Sequence, residues 1–579
     1  MTKVPERLLG SSRVAREDYA LRQVPPTWRY SGRTIVLSLL GGATAGVFLA
    51  FPAQLAGPFG IYNVLIAIVY IFAVQTGLNL LFVKAASRTG LSSDLMSRGL
   101  GLGFDGSAWT TLVYWVGWIT FFATEGQILA SAVTAQTGLP EAVSKLIVGV
   151  SFLPLVLYGL GFMAKFQTWT LYLYVVGIAA LLAKVIFSGP GTGELARFYH
   201  GHAGNVGGLG LLGALAAYNG LLPNVLFGHA DLARLLANDG SLTRSGRRDV
   251  LWISLVPYSL FAYVVFGVIG LYLWAATGGS TNPGTYFVGT IGIAGFLLII
   301  LTQIRINLIN AYSGSLSLAN FFSRLHVVPG RPVWAIVMVG VGTALMYLNV
   351  LGNLGTVLTY EGILLFAWVG VVVADLVLVR GVHRYGPAEG RFIEYRRSML
   401  PHWNPVGAVP LAVSTVVGLV LAIGGQNGLF GGTIALDLSS WVALLLAILL
   451  TWWLGVRDRG RSYAIRPIID WPRSDLVTEC PLDSEVVSTH DLFPCPYHGQ
   501  WICSEDCMRT SDCHEACKGM GDDALLQITL PPRVEALEPV NAELRSHPDP
   551  TAPARGGGVR ETGPVRPSAS ETSPPGGEH

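Results

Sequence analysis

The sequence predicts an all-α polytopic membrane protein with twelve transmembrane helices. Three observations carry that expectation: a mean hydropathy of +0.50 with only 13% charged residues, apolar runs that recur from Ile35 to about Leu454, and connections that alternate between basic and nearly uncharged. Soluble chains carry roughly 25% charged residues, so lipid is the expected solvent.

Each run, at roughly 20 residues, can cross a hydrocarbon core of about 30 Å. The expected spans are 35–56, 61–83, 108–135, 144–163, 167–187, 205–227, 251–275, 288–322, 332–350, 354–379, 406–424 and 436–455. The net charge of +2 decides nothing by itself, because orientation follows from where Lys and Arg fall between spans. Connections after even-numbered spans hold Lys84, Arg88 and Arg98; Lys165; Arg234, Arg244, Arg247 and Arg248; Arg324 and Arg331; and Arg380, Arg384, Arg391, Arg396 and Arg397. The opposite connections hold little beyond Lys145 and Arg197. Basic loops stay inside, so a plasma-membrane protein with both termini cytoplasmic is expected. Residues 1–34 are polar, without a short apolar core and cleavage site, and read as a cytoplasmic tail rather than a signal peptide.

Two spans contain helix-breaking residues at corresponding positions. The first has Gly41, Gly42, Gly46 and Pro52, and the sixth has Asn219, Gly220 and Pro223. Glycine and proline also let membrane helices pack closely. A pair of interruptions five spans apart nevertheless points to an inverted-repeat transporter, whose freed carbonyls and N–H groups line a cavity. Both spans are expected to unwind or kink, with a small polar solute between them.

Further motifs fall around these spans. Glu17-Asp18-Tyr19-Ala20-Leu21-Arg22 with Val24-Pro25-Pro26 precedes the first, and Thr89-Gly90-Leu91-Ser92-Ser93 with Arg98 follows the second. Ala230-Asp231-Leu232-Ala233-Arg234 follows the sixth, N-L-I-N-A-Y-S-G-S-L-S-L-A-N runs from Asn307 to Asn320, and Ala374-Asp375 closes the tenth. In this order and spacing the motifs resemble the nucleobase-cation symporter family, in particular its purine-cytosine permease branch, over about residues 17–424.

The resemblance implies a LeuT-type core, a 5+5 inverted repeat, plus two peripheral helices, with a heterocycle held between spans one, three, six and eight. A planar polar heterocycle needs an aromatic face to stack on and amides for its ring N–H and C=O groups. Trp118, in a Gly117-Trp118 pair similar to the family's, is the expected platform. Asn219 and Asn224 beside the sixth-span break, Asn307, aligned with a substrate-contacting Asn of the family, and Asn310 one turn on are the expected amides. Packing or an interfacial belt is the plainer reading of Trp118, and interhelical hydrogen bonding that of each Asn.

Arg305 lies near the middle of the eighth span. A central Arg costs roughly 2.5–3.5 kcal/mol on insertion scales, so it should face the bundle interior and pair with carbonyls or a carboxylate. In the family that the resemblance points to, this position belongs to a sodium site completed by carbonyls of broken span one, and an Arg departs from that pattern. It would supply the charge that sodium supplies elsewhere, tying span eight to the carbonyls near Gly42 and Ala43, so no sodium is expected at the core. Arg stays protonated, and any proton coupling needs a carboxylate. Glu125, among Phe121, Phe122 and Ile128 on span three, is better placed than Glu361 on span ten. A static salt bridge to Arg305 or another partner is its plainer reading.

All six cysteines lie after the last span, with His490, His498 and His514 among them. On a cytoplasmic tail such clustering favours metal ligation over disulfides. Cys480, Cys495, His498, Cys503, Cys507, Cys513 and Cys517 are spaced as zinc knuckles or cross-braced sites are, and thiolate with imidazole suits zinc. An iron–sulfur cluster or redox-sensing thiols are the alternatives. The ligands suffice for one zinc site, and for two if nearly all are used.

The expected organisation is a cytoplasmic tail (1–34), a ten-helix transport core (35–379), a loop with helices eleven and twelve (380–455), a Cys/His-rich metal-binding region (456–534) and a disordered tail (535–579) rich in Pro, Gly and Ser. The function these elements imply is a permease for a nucleobase or related nitrogen heterocycle. A metal-binding tail has no place in bare transport, so a cytoplasmic regulatory or signalling protein is an expected partner. A solute sensor reporting through the tail is one alternative, and an amino acid or amine transporter on the same fold another. No catalytic constellation or nucleic-acid module is found, Gly99-Leu100-Gly101-Leu102-Gly103-Phe104 reads as a loop, and enzymatic activity is not expected.

Overall fold

Helix forms at each of the twelve expected stretches. The computed structural model describes residues 19, 21–25, 29–157, 160–237, 244–385, 393–465 and 477–521, with 524, 525 and 528. The disorder expected over 535–579 and most of the N-terminal tail lie outside the described residues.

The first span consists of α1 (Gly32–Ala43) and α2 (Val47–Phe59), bent by 45°. The chain continues through α3 (Ile61–Thr89), α4 (Ser93–Ser97), α5 (Ala108–Thr137), α6 (Glu141–Leu157), α7 (Leu160–Ser188), α8 (Thr192–Gly201) and α9 (Gly208–Ala233). The remaining membrane helices are α10 (Arg244–Ala276), α11 (Pro283–Ser323), α12 (Arg331–Met346), α13 (Leu354–Val382), α14 (Pro405–Gln426) and α15 (Thr433–Asp458). Among the described residues, eight helices are long and apolar enough to cross a membrane, and the bent pair makes a ninth. At 17 and 16 residues, α6 and α12 are shorter. The central α5 has the length but carries Thr, Gln and Glu side chains, buried in the bundle rather than turned to lipid. Twelve crossings therefore exceed what length and composition alone support.

The last two membrane helices show how sequence sets packing. On α14, Val409, Val413, Val416 and Val420 are exposed at i, i+4, i+7 and i+11, the stripe of a lipid-facing helix. Its other face buries Gly407, Ser414, Gly418 and Ala422, and α15 buries Ser439, Ser440, Ala443 and Ala447. Small residues on both sides let the two backbones approach closely.

The break in the first span falls where its glycines predicted, but the sixth span is not broken. Helix α9 runs without interruption through Asn219 and Gly220. An added Cβ at Gly220 would stand 2.3 Å from the Leu358 carbonyl oxygen, and one at Gly362 would stand 2.9 Å from the Gly220 Cα. That glycine serves the close crossing of α9 and α13 rather than a hinge. Departures from α-helical geometry occur elsewhere. In α10 the winding widens to i→i+5 over Val256–Phe266, where Pro257 removes a donor. In α11 the chain kinks at Ile291 and Gly292, the latter at φ 58°, which glycine adopts without strain. The long eighth span accordingly starts at Ile293 rather than at 288.

The cysteine-rich region folds into a small module. Strand β1 (Val477–Glu479) pairs antiparallel with β2 (Val486–Ser488), and β3 (Phe493–Cys495) with β4 (Gln500–Ile502); α16 (Ser504–Arg509) and α17 (Ala516–Gly519) follow. The module packs on the connections between membrane helices. Arg397 Nε lies 2.7 Å from Glu515, His326 Nδ1 lies 2.9 Å from the Met508 carbonyl, and the Tyr395 hydroxyl donates to Asp491. Leu21, Phe104, Leu400 and Met508 share one apolar cluster. The glycine loop at 99–104 zips onto the same connection, with the Phe104 N–H donating to the Pro401 carbonyl at 2.9 Å and Asn404 N–H to that of Leu102 at 3.1 Å. Membrane helices and module belong to one compact unit.

The α9–α13 crossing gives a direct check. Gly220→Ala should lower the thermal unfolding temperature of the detergent-purified protein, since overpacking costs about 1–3 kcal/mol. Gly355→Ala, where an added Cβ meets nothing within 4 Å, should leave it unchanged or slightly raised. Intrinsic fluorescence on heating reads both.

Candidate functional site

The break between α1 and α2 places polar groups at the centre of the bundle. The Thr44 hydroxyl donates to the Gly41 carbonyl at 2.6 Å and the Ala45 N–H to that of Gly42 at 3.1 Å, closing the end of α1. The opening N–H groups of α2 have no helical partner. Gly46 N–H donates to Glu125 Oε2 at 3.1 Å, and Val47 N–H to Oε1 at 3.0 Å. Glu125, from α5, thus caps α2 with both oxygens, a carboxylate at the positive end of a helix. An added Cβ at Gly46 would lie 2.8 Å from Gln303 Nε2 and 3.3 Å from Glu125 Oε2, so the absence of a side chain brings the carboxylate close.

Arg305 is fully buried on α11. Its Nη1 donates to the Gln167 carbonyl at 2.8 Å and the Thr170 hydroxyl at 2.6 Å, and its Nε to the Thr44 hydroxyl at 3.2 Å. Gln167 Nε2 returns a bond to the Arg305 carbonyl at 2.6 Å, and the Thr302 hydroxyl donates to the Thr44 carbonyl. The guanidinium therefore joins spans one, five and eight. Its partners are not the Gly42 and Ala43 carbonyls expected from the sequence: the Gly42 carbonyl accepts from the Ala45 N–H, and Arg305 reaches the end of α1 through the Thr44 hydroxyl. Among the described residues no carboxylate forms an ion pair with Arg305, and Glu125 is engaged by α2.

Between these elements lies a cavity of about 20 Å³, lined in part by Phe48, Trp118, Phe121, Glu125, Tyr258 and Asn310. That is room for about one water. Trp118 fits because Gly228 and Gly314 leave space, an added Cβ on either lying within 3.2 Å of its side chain. Asn310 Nδ2 donates to Asn307 Oδ1 at 3.1 Å. Trp118 Nε1 and Asn307 Nδ2 are buried donors without an acceptor among the described residues, a costly state that a ligand oxygen would relieve.

Of the expected site residues, Trp118, Asn310 and Glu125 meet at this cavity, and Asn307, bonded to Asn310, is not among the lining residues. Asn219 is elsewhere: its Oδ1 accepts from the Tyr70 hydroxyl at 2.8 Å and its Nδ2 donates to Ser440 Oγ at 3.0 Å, linking spans two, six and twelve. The side chain of Asn224 lies outside those described. Glu361, buried on α13, is not among the lining residues. Sequence reasoning missed Phe48, Phe121 and Tyr258. Tyr258 had a signal, a tyrosine directly after a proline in an apolar run, but the widened winding that turns it inward did not. The motifs around the spans act as struts. Asp231 accepts from the Ser93 N–H at 3.0 Å, Arg234 donates to the Tyr19 carbonyl at 2.8 Å, and Asp375 pairs with Arg380 at 2.6 Å.

The expected metal ligands divide into two groups. Cys480 and Cys503 converge with Asp483 and Asp506, whose ligand atoms all lie within 4.8 Å of one another. Neither aspartate was expected, since Cys-x-x-Asp reads as an ordinary acidic loop. Cys480 and Cys503 thiols donate to Asp506 Oδ2 at 3.0 and 3.4 Å. In the other group Cys495 Sγ lies 3.4 Å from His498 Nδ1. Burial, with Cys517, Cys513 and Cys495 as neighbours, pushes the Cys507 thiol up to about 12. No disulfide joins any of the six cysteines.

No protein-family model and no curated protein matches the chain. Solved structures do. The chain is similar to Mhp1, a nucleobase-cation-symport-1 family transporter, in a closed conformation with bromovinylhydantoin bound, at 19% identity over 78% of this chain and 96% of that one, with a TM-score of 0.56. An inward-facing conformation of Mhp1 gives 19% identity, 78% and 98% coverage and a TM-score of 0.57. A Na+-coupled sialic acid symporter in a substrate-bound outward-open state gives 12%, 77% and 93%, and 0.52. The fold is thus the LeuT-type inverted repeat, shared with these transporters at low sequence identity.

Proposed function

We propose that the protein is a secondary active transporter, a permease for a nucleobase or related nitrogen heterocycle, working by alternating access without sodium. One observation carries the substrate class: the Glu125 carboxylate on the first N–H groups of α2. In inverted-repeat transporters the N-terminus of a broken helix receives an anionic substrate group. Here both donors serve the protein's own carboxylate. A free α-amino acid would set a second carboxylate against Glu125 and find no N–H groups to offset it. A neutral ring stacked on Trp118, with Asn310 and Asn307 for its polar edge, meets no such penalty. The bromovinylhydantoin held by Mhp1 on the same fold supports that class.

Sodium independence rests on Arg305. A hard cation requires several oxygen ligands, and the oxygens gathered here from Thr44, Gln167 and Thr170 are engaged by a fixed guanidinium. Glu125 is the carboxylate positioned to carry a coupled proton. The basic connections orient the tail-bearing face to the cytoplasm, and zinc is the ion for the tail's thiols and carboxylates. Docking of that tail on the helix connections favours a second reading, a solute sensor, which binds ligand but moves none across a membrane.

Three outcomes are expected. In proteoliposomes a labelled nucleobase or hydantoin should accumulate and a free α-amino acid should not; the reverse would overturn the substrate class, and ligand binding without any flux would favour the sensor. Uptake should be the same within about twofold with or without a sodium gradient, and strict sodium dependence would remove the role given to Arg305. Trp118→Ala should weaken ligand binding by about 1–3 kcal/mol, the worth of one stacked base, or roughly 5- to 150-fold, with Trp118→Phe recovering most of it in a calorimetric titration.

A further inference from the structure

The first ligand group of the tail sits where the module meets the N-terminal segment. Cys480 and Asp483 belong to the tip of the β1–β2 hairpin, where the Cys480 N–H donates to the Glu485 carbonyl at 2.8 Å and the Glu485 N–H to Asp483 Oδ1 at 3.0 Å. Cys503 precedes α16 as its N-cap, and Asp506 lies in the first turn. Two thiols and two carboxylates are thereby gathered within 4.8 Å, three of the four residues buried. Both thiols point at one Asp506 oxygen, at 3.0 and 3.4 Å, and a divalent ion at that point would take the thiolates directly and offset both carboxylates.

Resting on the choice of zinc above, we propose that Cys480, Asp483, Cys503 and Asp506 form a four-coordinate zinc centre, separate from the Cys495, His498 and Cys507 group, that clamps Arg22 of the N-terminal segment. Glu485 stands two residues after Asp483, and Glu505 stands between Cys503 and Asp506. Each half of the centre therefore carries one acid to the same guanidinium. Arg22, 2% exposed, pairs with Glu485 and lies 3.7 Å from Glu505. Against burial, which would lower it, these two acids hold the Arg22 pKa above its ordinary value. Fixing the hairpin tip to α16 fixes the gap between the acids, and so the grip on Arg22.

The clamped segment leads into the broken span. The Val24 N–H donates to the Gly90 carbonyl at 3.0 Å, Arg29 Nη1 to that of Ser87 at 3.0 Å, and the Tyr30 N–H to that of Leu235 at 2.6 Å. Helix α1 begins at Gly32. The zinc centre thus fastens the tail to the one segment that is continuous with α1.

Full-length protein purified in detergent with zinc tests this by metal counting and hydrogen–deuterium exchange. Cys480→Ser combined with Asp506→Ala should carry one zinc fewer per chain than the unaltered protein, and exchange across residues 19–25 should rise at least tenfold. Cys495→Ser combined with Cys507→Ser should keep the first centre's ion and the protection of 19–25. Because a ligand deletion can unfold the module, Asp483→Cys supplies the converse. Loaded with cobalt(II), it should gain the charge-transfer intensity of one added thiolate. An unaltered protein without zinc would overturn the choice of ion and the centre together. Zinc content unchanged by Cys480→Ser with Asp506→Ala, and no gain in Asp483→Cys, would overturn this centre while leaving zinc in the tail. Unchanged exchange at 19–25 on loss of the ion would overturn the clamp.

Discussion

The rest of the membrane core depends on how the break between α1 and α2 is electrically satisfied. Unwinding a helix inside a membrane exposes donors at one new end and acceptors at the other, with no water to take them. Glu125 sits on the positive end, at the Gly46 and Val47 N–H groups. Arg305 sits by the negative end, reaching it through the Thr44 hydroxyl. These two buried charges do not pair with each other. Each pairs with one end of the break, so α5 and α11 are held against opposite sides of the same discontinuity. Helix ends carry about half a unit charge each, and an Arg and a Glu placed this way offset both without forming an ion pair.

That arrangement explains which residues sequence reasoning reached. The break in the first span was legible because several glycines cluster there, and Arg305 because a charge in the middle of an apolar run must face inward. Trp118 and Asn310 were reached through the resemblance and meet at the cavity. Asn219 and Gly220 were not separable from a hinge by sequence: a polar residue beside a glycine in an apolar helix reads alike whether it lines a cavity or joins two helices. Facing decides, and Asn219 faces Tyr70 and Ser440. Tyr258 was illegible for another reason. Its direction is set by the i→i+5 winding that begins beside Pro257, and a periodicity of 3.6 residues cannot describe such a segment.

The tail shows the same limit from the side of metal chemistry. Cysteine and histidine spacing marked the region, but the first group of ligands is half carboxylate, and aspartate is too common in loops to stand out. What selects Asp483 and Asp506 is convergence of two distant segments, a hairpin tip and a helix start, onto one point. No spacing rule within either segment carries that.

Docking of the module bears on how a transporter of this fold could be controlled. The connection around residues 393–404 touches both the glycine loop at 99–104 and the module, through Phe104 to Pro401 and Arg397 to Glu515. Arg98 adds a third tie, donating to the Tyr395 carbonyl at 3.3 Å and to Asn320 of α11. The module thus holds spans three, eight and eleven together at one face, beside the segment that enters span one. Opening the cavity from its present volume of about 20 Å³ toward that face requires those elements to separate. Arg98 and Tyr395 are buried, while Arg397 and Glu515 keep 10% and 17% of their side chains exposed, so the ties act by number rather than through one dominant ion pair. Several such ties, at about 0.2–1 kcal/mol for each partly exposed charged contact, add up to a load comparable with a conformational equilibrium of a few kcal/mol.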